Sequence, residues 1–195
     1  MEDYVITISR TFGSGGKRIG KKLAGKLGIR SYNIEIKDVA SHKTSVDNIS
    51  RMLQESDRRD FVGSEAQVFV PDQDVFDKQA KIINFLADSE SCIIVGRCAD
   101  YVLEGRPNVF RFFIDAPKEY RIGSIAKRLH IDEAEAAKME ESTSRYRKEF
   151  YEYYTGKVFG DPANYDICFD ASKMEPDEIE EAILDYVISK LDVEE

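Results

Sequence analysis

Residues 6–20 read ITISRTFGSGGKRIG, and they hold more information about the fold than any other part of the chain. An apolar run typical of a β-strand enters a turn with three glycines, which let the backbone adopt positive φ angles and approach a ligand. Ile19, Leu23 and Leu27 follow at the four-residue spacing of a buried helix face. A strand, a glycine turn and a helix in this order gather backbone N–H groups at the positive end of the helix dipole, which suits a phosphate.

The turn resembles a nucleotide-binding P-loop only in part. In the pattern G-x-x-x-x-G-K-[ST], taking Gly16-Lys17 as the G-K pair puts Thr11 where the first glycine belongs and Arg18 where the magnesium-binding hydroxyl belongs. Two of the four fixed positions therefore differ, and a turn that only connects strand to helix stays an alternative. The predicted phosphate-binding residues are Gly13, Ser14, Gly15, Gly16, Lys17 and Arg18.

Composition bounds the class of protein. A chain of 195 residues is expected to form one domain, and its net charge of −9 argues against binding a nucleic acid polymer. No apolar run is long enough to cross a membrane. The cysteines lack zinc-site spacing, and we expect Cys92 and Cys168, which lie in apolar runs, to be core residues. These features favour a reducing, cytoplasmic location.

Strands and helices alternate along the chain. Apolar runs predict strands at 5–8, 29–34, 91–95, 109–114 and 165–170, and periodic patterns predict helices at 16–28, 74–87, 122–129, 132–154 and from 176 onward. This order predicts an α/β fold with a doubly wound parallel sheet covered on both faces. Such sheets bind ligands beyond the carboxyl ends of their strands. Residues 36–70 give no readable pattern.

Arginines are the main candidates for chemistry. Arg97 directly follows a buried strand, where its guanidinium could grip a phosphate with two hydrogen bonds, although an ordinary surface arginine is the alternative. Arg145 and Arg147 lie in a stretch dense in aromatic residues. They could belong to a mobile lid that reaches a transferred phosphoryl group, or to a solvated helix.

Other titratable residues give weaker signals. Neither His42 nor His130 has a partner at metal-ligand or triad spacing, so both are assigned to the surface. No metal-binding residue is predicted. Asp38, Asp115 and Asp166 are candidates for contacting magnesium-bound water, but aspartate is common at strand and helix ends.

The chain resembles the cytidylate kinase-like family, relatives of the nucleoside monophosphate kinases. The matching segments are spread over most of the chain outside 36–70: ISRTFGSGGKRIG at 8–20, IIVGRCADYVL at 93–103, FIDAPKEYR at 113–121, YYTG at 153–156 and NYD at 164–166. The resemblance implies a three-layer P-loop kinase-like fold with a parallel five-stranded sheet and a helical lid over about 118–160. It also implies ATP at residues 13–18, Mg²⁺ with unidentified ligands, and an acceptor near Arg97.

The same resemblance implies residue roles and shows departures. The lid it implies carries Arg121, Arg145 and Arg147. Together with Lys17 these are the predicted catalytic residues, and Arg97 and Asp38 are the predicted substrate-binding residues. Residues 36–70, which match the family poorly, are a candidate acceptor-binding insertion. Three departures from the true cytidylate kinases concern magnesium and CMP: Gly16 stands where the lysine falls, Val95 where an aspartate precedes Gly-Arg, and Ser144 where an aspartate precedes the lid arginine.

The predicted function is phosphoryl transfer from ATP to a small acceptor, with a nucleoside monophosphate such as CMP first among acceptors. A non-catalytic nucleotide-binding module and a kinase of another small metabolite remain alternatives. The expected partner is a small-molecule nucleotide, and we expect the chain to bind neither a nucleic acid polymer nor a membrane. A homo-oligomer is left open.

Overall fold

The structure, a computed structural model, describes residues 3–33 and 69–191. Its first half runs β1 (Val5–Arg10), α1 (Gly16–Leu27), β2 (Arg30–Asn33), α2 (Gln73–Ser89), β3 (Cys92–Val95) and α3 (Ala99–Val102). Its second half runs β4 (Val109–Asp115), α4 (Lys118–Leu129), α5 (Glu133–Thr155), a 3₁₀ turn (Pro162–Asn164), β5 (Ile167–Asp170) and α6 (Pro176–Leu191).

The five strands form one parallel sheet in the order β2-β3-β1-β4-β5. β1 lies at the centre, with Ile8 opposite Val95 of β3 on one side and opposite Phe112 of β4 on the other. The carboxyl ends of β1, β3 and β4 therefore meet at one edge, which is where the sequence predicts ligand binding.

β1, β3 and β4 are buried on both sides because helices cover both faces of the sheet. On one face Ile6 and Ile8 pack with α1 and α6, and on the other Val5 packs with Ile82 and Ile83 of α2. The predicted three-layer α/β fold with a parallel five-stranded sheet is confirmed.

The predicted boundaries mostly hold to within two residues. α1 ends at Leu27, where Gly28 closes it with a φ of 68°. Asp132 caps α5, since its side chain accepts a hydrogen bond from the Glu135 amide at 2.8 Å. His130 is exposed, as predicted, whereas His42 and most of 36–70 lie outside the described residues.

One prediction about the core is wrong. Cys92 is buried on the central strand β3, but Cys168 is exposed. β5 lies at one edge of the sheet, and Phe169 turns into the core while Cys168, on the opposite face, is left accessible. An apolar run does not by itself reveal that a strand lies at the edge.

Two helices, α4 and α5, make up most of the segment predicted as a lid.

Over the described part of the chain, no helix combines the length and apolar character that a membrane crossing needs.

Candidate functional site

The glycine loop, residues 11–17, joins β1 to α1. Gly13 and Gly15 have φ angles of 90° and 88°, which favour glycine. A Cβ atom on Gly13 would lie 2.7 Å from the Arg121 carbonyl oxygen, whereas one on Gly15 would meet nothing within 4 Å. Packing thus explains Gly13, while the open side of Gly15 leaves room for a ligand to approach the backbone.

The first turn of α1 has the electrostatics of an anion site. Gly15 is its N-cap, the turn contains no acidic residue, and Lys17 and Arg18 add positive charge. Ser14 turns its hydroxyl inward and donates to the Thr11 carbonyl oxygen at 3.0 Å, which shapes the loop. Lys17 is the second residue of α1, and Gly16 is the first.

Arg10, the last residue of β1, was not among the predicted site residues. It is 9% exposed, and its Nη2 donates to Asn33 Oδ1 at the end of β2 at 3.2 Å. Its side chain passes two glycines: a Cβ on Gly16 would lie 2.8 Å from Arg10 Cβ, and one on Gly96 would overlap Arg10 Nη1 and lie 2.8 Å from Cζ. Arg10 therefore runs from the glycine loop to the end of β3 through a channel that only glycine leaves open.

The β3–α3 turn, Gly96–Cys98, carries Arg97. All three residues have left-handed φ angles, 82°, 60° and 57°, although two of them have side chains. The turn is held from below, because the buried Gln79 donates from Nε2 to the Arg97 carbonyl oxygen at 2.9 Å. The Arg97 guanidinium lies 5.5 Å from the centre of the Phe150 ring.

A cavity lies between the end of β1, the β3–α3 turn and α5. Its described lining includes three arginines, Arg10, Arg97 and Arg147, and no carboxylate. Arg147 also donates from Nη1 to the Arg10 carbonyl oxygen at 3.3 Å and lies 5.5 Å from the centre of the Phe12 ring. Three guanidinium groups around one cavity attract an anion, and each can bind phosphate oxygens in pairs.

The other two predicted lid arginines have different surroundings. Arg121 forms an ion pair with the buried Glu140 at 2.8 Å and donates to Ser144 Oγ at 3.2 Å, so it ties α4 to α5. Arg145 is exposed, and its side chain forms no hydrogen bond or ion pair with the described residues. Of the three arginines, the described geometry brings Arg147 alone to the cavity beside Arg97.

A buried carboxylate lies below the cavity. Asp100 is 3% exposed and accepts hydrogen bonds from Ser9 Oγ at 3.0 Å and Tyr151 OH at 2.7 Å. Burial raises the pKa of Asp100, and the two hydroxyl donors oppose that rise. Burial, followed by the nearby Asp100 charge, raises the pKa of Tyr151. This network fixes the cavity floor, because Ser9 and Tyr151 both line it.

The described residues offer few candidate contacts for magnesium. Among the described residues, no group of three or more histidine, cysteine, aspartate or glutamate side chains could hold a metal ion. Asp115 is exposed next to the glycine loop and accepts a hydrogen bond from Thr11 Oγ1 at 2.8 Å. Mg²⁺ often keeps several waters and takes most other ligands from substrate phosphates, so Thr11 and Asp115 fit contacts to its waters.

Asp166, another magnesium candidate, is held by an arginine. Asp166 accepts hydrogen bonds from the Arg111 amide at 2.6 Å and from Arg111 Nη2 at 3.3 Å, so it holds the start of β5 to β4. Asp38 lies outside the described residues. Val95 is fully buried in the apolar core and offers no oxygen from its side chain.

Sequence reasoning missed Arg10, Asp100 and Tyr151. Arg10 did carry a signal, because an arginine that ends a fully buried strand needs a polar partner beyond the sheet edge. Asp100 and Tyr151 lie 51 residues apart and gave no local pattern.

Comparisons with known proteins give the family and the fold of the chain. The profile of the cytidylate kinase-like family matches residues 5–173. A crystal structure of an uncharacterized protein from Eubacterium ventriosum ATCC 27560 is 30% identical, with a TM-score of 0.74 over 96% of this chain and 99% of that chain. No curated protein sequence matches.

More distant structures share the fold. A sugar kinase from Janibacter sp. HTCC2649 is 20% identical, with a TM-score of 0.56 over 95% of each chain. A gluconokinase from Sinorhizobium meliloti 1021 is 15% identical, with a TM-score of 0.56 over 97% of this chain and 95% of that chain. The fold is that of the P-loop kinases.

Proposed function

The chain belongs to the cytidylate kinase-like family, and from that premise we propose that it transfers the γ-phosphoryl group of ATP to a small phosphorylated acceptor, with a nucleoside monophosphate such as CMP first among acceptors. The observation that carries the proposal is the cavity lined by Arg10, Arg97 and Arg147 beside the uncapped start of α1. Donor and acceptor phosphates would meet there, at one edge of the sheet.

The donor would lie on the glycine loop. Backbone N–H groups of residues 13–17 and the side chains of Lys17 and Arg18 would hold its phosphates, aided by the helix dipole. Mg²⁺ would neutralise charge on the donor phosphates, with Thr11 and Asp115 contacting its waters. Magnesium would thus be held mainly by the nucleotide.

The acceptor would bind at Arg97. One of its oxygens would form a bond to the γ-phosphorus as the bond from that phosphorus to the bridging oxygen of ADP breaks. Arg147 would stabilise charge on the transferring group, while Arg145 and Arg121 would act only after a movement that brings them to the cavity. Asp38 stays a proposed substrate contact.

The lining of the cavity favours a phosphate over a hydroxyl acceptor. The described lining includes no carboxylate to take a proton from a hydroxyl, and Asp100 uses both oxygens on Ser9 and Tyr151. A phosphate oxygen is already ionised at neutral pH and needs no general base.

Two alternatives have support of their own. Sugar kinases and gluconokinases among the structural neighbours favour an unphosphorylated metabolite as acceptor. The position of Lys17, one residue into α1, favours a module that binds a nucleotide without catalysis.

Thermal unfolding followed by a panel of acceptors separates these functions. The melting temperature is first measured with and without ATP and magnesium. ATP at about 100 times its Kd adds roughly 2.7 kcal/mol of stability, which for a chain of this length raises Tm by about 5–10 °C. ADP release would then be measured with CMP, dCMP, UMP, AMP and gluconate as acceptors. Turnover of only an unphosphorylated compound supports the first alternative, and binding without turnover supports the second.

Arg97→Lys tests the acceptor position. Lysine cannot form two parallel hydrogen bonds with a phosphate, so KM for the acceptor should rise about tenfold or more while ATP affinity stays the same. Arg106→Lys is the matched control, since Arg106 pairs with Asp88 away from the cavity. Equal effects of the two changes would contradict an acceptor phosphate at Arg97.

A further inference from the structure

We infer that Arg10 supplies a cation that binds the γ-phosphate of the donor, at the place that a lysine at position 16, the first residue of α1, would otherwise take. The inference rests on the proposed function and names a residue of that site which the sequence pattern does not assign. In the P-loop pattern the lysine after the second glycine reaches the β- and γ-phosphates. In the alignment with the cytidylate kinases that lysine falls at position 16, which is Gly16 here, and Lys17 lies one residue further along α1. The cation nearest to Gly16 is Arg10, at the end of the preceding strand.

The packing around Gly16 explains why position 16 carries no lysine. A Cβ atom on Gly16 would lie 2.8 Å from Arg10 Cβ and 3.1 Å from Arg10 Cγ. Any side chain at position 16 therefore competes with the stem of Arg10 for the same space. The glycine and the arginine form one arrangement, in which a cation on the strand excludes a cation on the first residue of the helix.

At the other end of the Arg10 side chain, Gly96 likewise leaves space that any side chain at position 96 would fill. Its Cα faces the Arg10 guanidinium so closely that a Cβ there would overlap Nη1 and lie 3.3 Å from Nη2. Two glycines from separate elements thus clear one channel. The charged end of Arg10 therefore lies beside the cavity rather than in the apolar core.

The end of the channel lies between the two halves of the proposed site. Arg10 lines the cavity together with Arg97 and Arg147, and its stem lies against the start of α1. Asn33 Oδ1 accepts a hydrogen bond from Nη2 and orients the guanidinium plane. A group held between the donor loop and the acceptor arginine lies where the phosphoryl group is transferred.

Arg10→Met tests the inference, because methionine keeps an unbranched stem in the channel and removes the charge. Isothermal titration of ATP and of ADP, each with magnesium, should show ATP binding weakened about tenfold to a hundredfold, the range for a lost charged hydrogen bond, and ADP binding weakened less. Arg106→Met is the control and should change neither affinity. The wild-type titration tests the proposed function by itself: if it shows no ATP binding, both the function and the inference are wrong.

An exchange variant gives a readout that a structural role would not produce. Arg10→Gly empties the channel and should lose ATP affinity, whereas Arg10→Gly combined with Gly16→Lys places a lysine at the first helical residue and should recover at least part of it. Gly16→Lys alone should be unstable, because its Cβ meets Arg10. A double variant that binds ATP no better than Arg10→Gly would overturn the inference.

Arg10→Lys keeps the test decisive if Arg10→Met does not fold. Its stem fills the same channel, but its single amine cannot make two parallel bonds, so ATP affinity should fall about fivefold or more. If the wild-type protein binds ATP, and a folded Arg10→Met or Arg10→Lys variant binds ATP equally well, then Arg10 has only a structural role and the inference is wrong.

Discussion

The glycine loop and the β3–α3 turn follow neighbouring buried strands and lie at the same edge of the sheet, yet they present different groups there. The glycine loop reaches its left-handed φ angles with Gly13 and Gly15 and presents its backbone. The β3–α3 turn places Arg97 and Cys98 in left-handed conformations and presents a guanidinium. A left-handed residue with a side chain costs roughly 1–2 kcal/mol, so the second turn stores strain that the first avoids.

That strain is balanced by contacts beneath the β3–α3 turn. Cys98 is buried, Gln79 holds the Arg97 carbonyl oxygen, and the Ala99 amide donates to the Gly96 carbonyl oxygen at 3.3 Å. The comparison teaches that one edge of a sheet can bind an anion in two ways. Backbone N–H groups need glycine and little support, whereas a rigid side chain needs a strained and well-supported turn.

The largest effect is expected from Gly96→Ala. The added Cβ would overlap the Arg10 guanidinium and displace it, and alanine at a φ of 82° adds strain. We expect a loss of about 3 kcal/mol in stability and about a hundredfold in kcat/KM. Gly105→Ala is the matched control, with a φ of 83° and nothing within 4 Å of its Cβ. Similar losses of activity in both variants would remove Arg10 from the explanation.

The next largest effect is expected on kcat, from removing the arginine of α5 that lines the cavity. Arg147→Ala should lower kcat about tenfold to a hundredfold, the range of a charged hydrogen bond, with little change in ATP affinity. Arg145→Ala, two residues away on the exposed side, should lower kcat much less. Lys148→Ala, also exposed, serves as control. If Arg145→Ala proves the more damaging change, α5 must rotate or shift during the reaction.

A smaller effect should separate the two glycines of the loop. Their φ angles differ by only 2°, from 90° to 88°, but Gly13→Ala meets the Arg121 backbone and Gly15→Ala meets open space. Gly13→Ala should lower Tm more, and Gly15→Ala should weaken ATP about tenfold, because its Cβ lies where a phosphate would approach. Calorimetry and titration on both variants check this. A Gly15→Ala protein with normal ATP affinity would mean that the phosphate lies elsewhere.

The smallest effect is a pH dependence at Asp100. Burial raises its pKa in the folded chain, so between the unfolded value of about 3.9 and the folded value the folded state binds more protons than the unfolded state. This contribution to wild-type stability therefore falls as pH rises through that window. Asp100→Asn has no such proton, so its Tm relative to wild type should rise with pH from 4 upward. A constant difference in Tm from pH 4 to 8 would contradict the burial argument.

The fold was predictable from the sequence because its signals are local. Apolar runs predict the strands of a covered sheet, and capping residues such as Asp132 and Gly28 predict helix ends. The edge position of β5 was not predictable, because it depends on strand order rather than on composition. The exposed Cys168 was therefore placed in the core.

The candidate site was predictable only where one element determines it. Glycines at 13 and 15 and the position of Arg97 after a strand are visible in short segments. The channel of Arg10 requires Gly16 and Gly96, which lie 80 residues apart, and the surroundings of Arg121 depend on Glu140 of the next helix. Such arrangements arise from packing between elements, which no short pattern records.

The exposed edge strand gives the protein a natural place for a spectroscopic label. Cys92 and Cys98 are buried, whereas Cys168 is accessible on β5. Its strand neighbour Phe113 packs against Phe159, 5.3 Å between ring centres, and Phe159 lines the cavity. A fluorophore attached to Cys168 of the unaltered chain would therefore report on ring movements beside the cavity without any engineered cysteine.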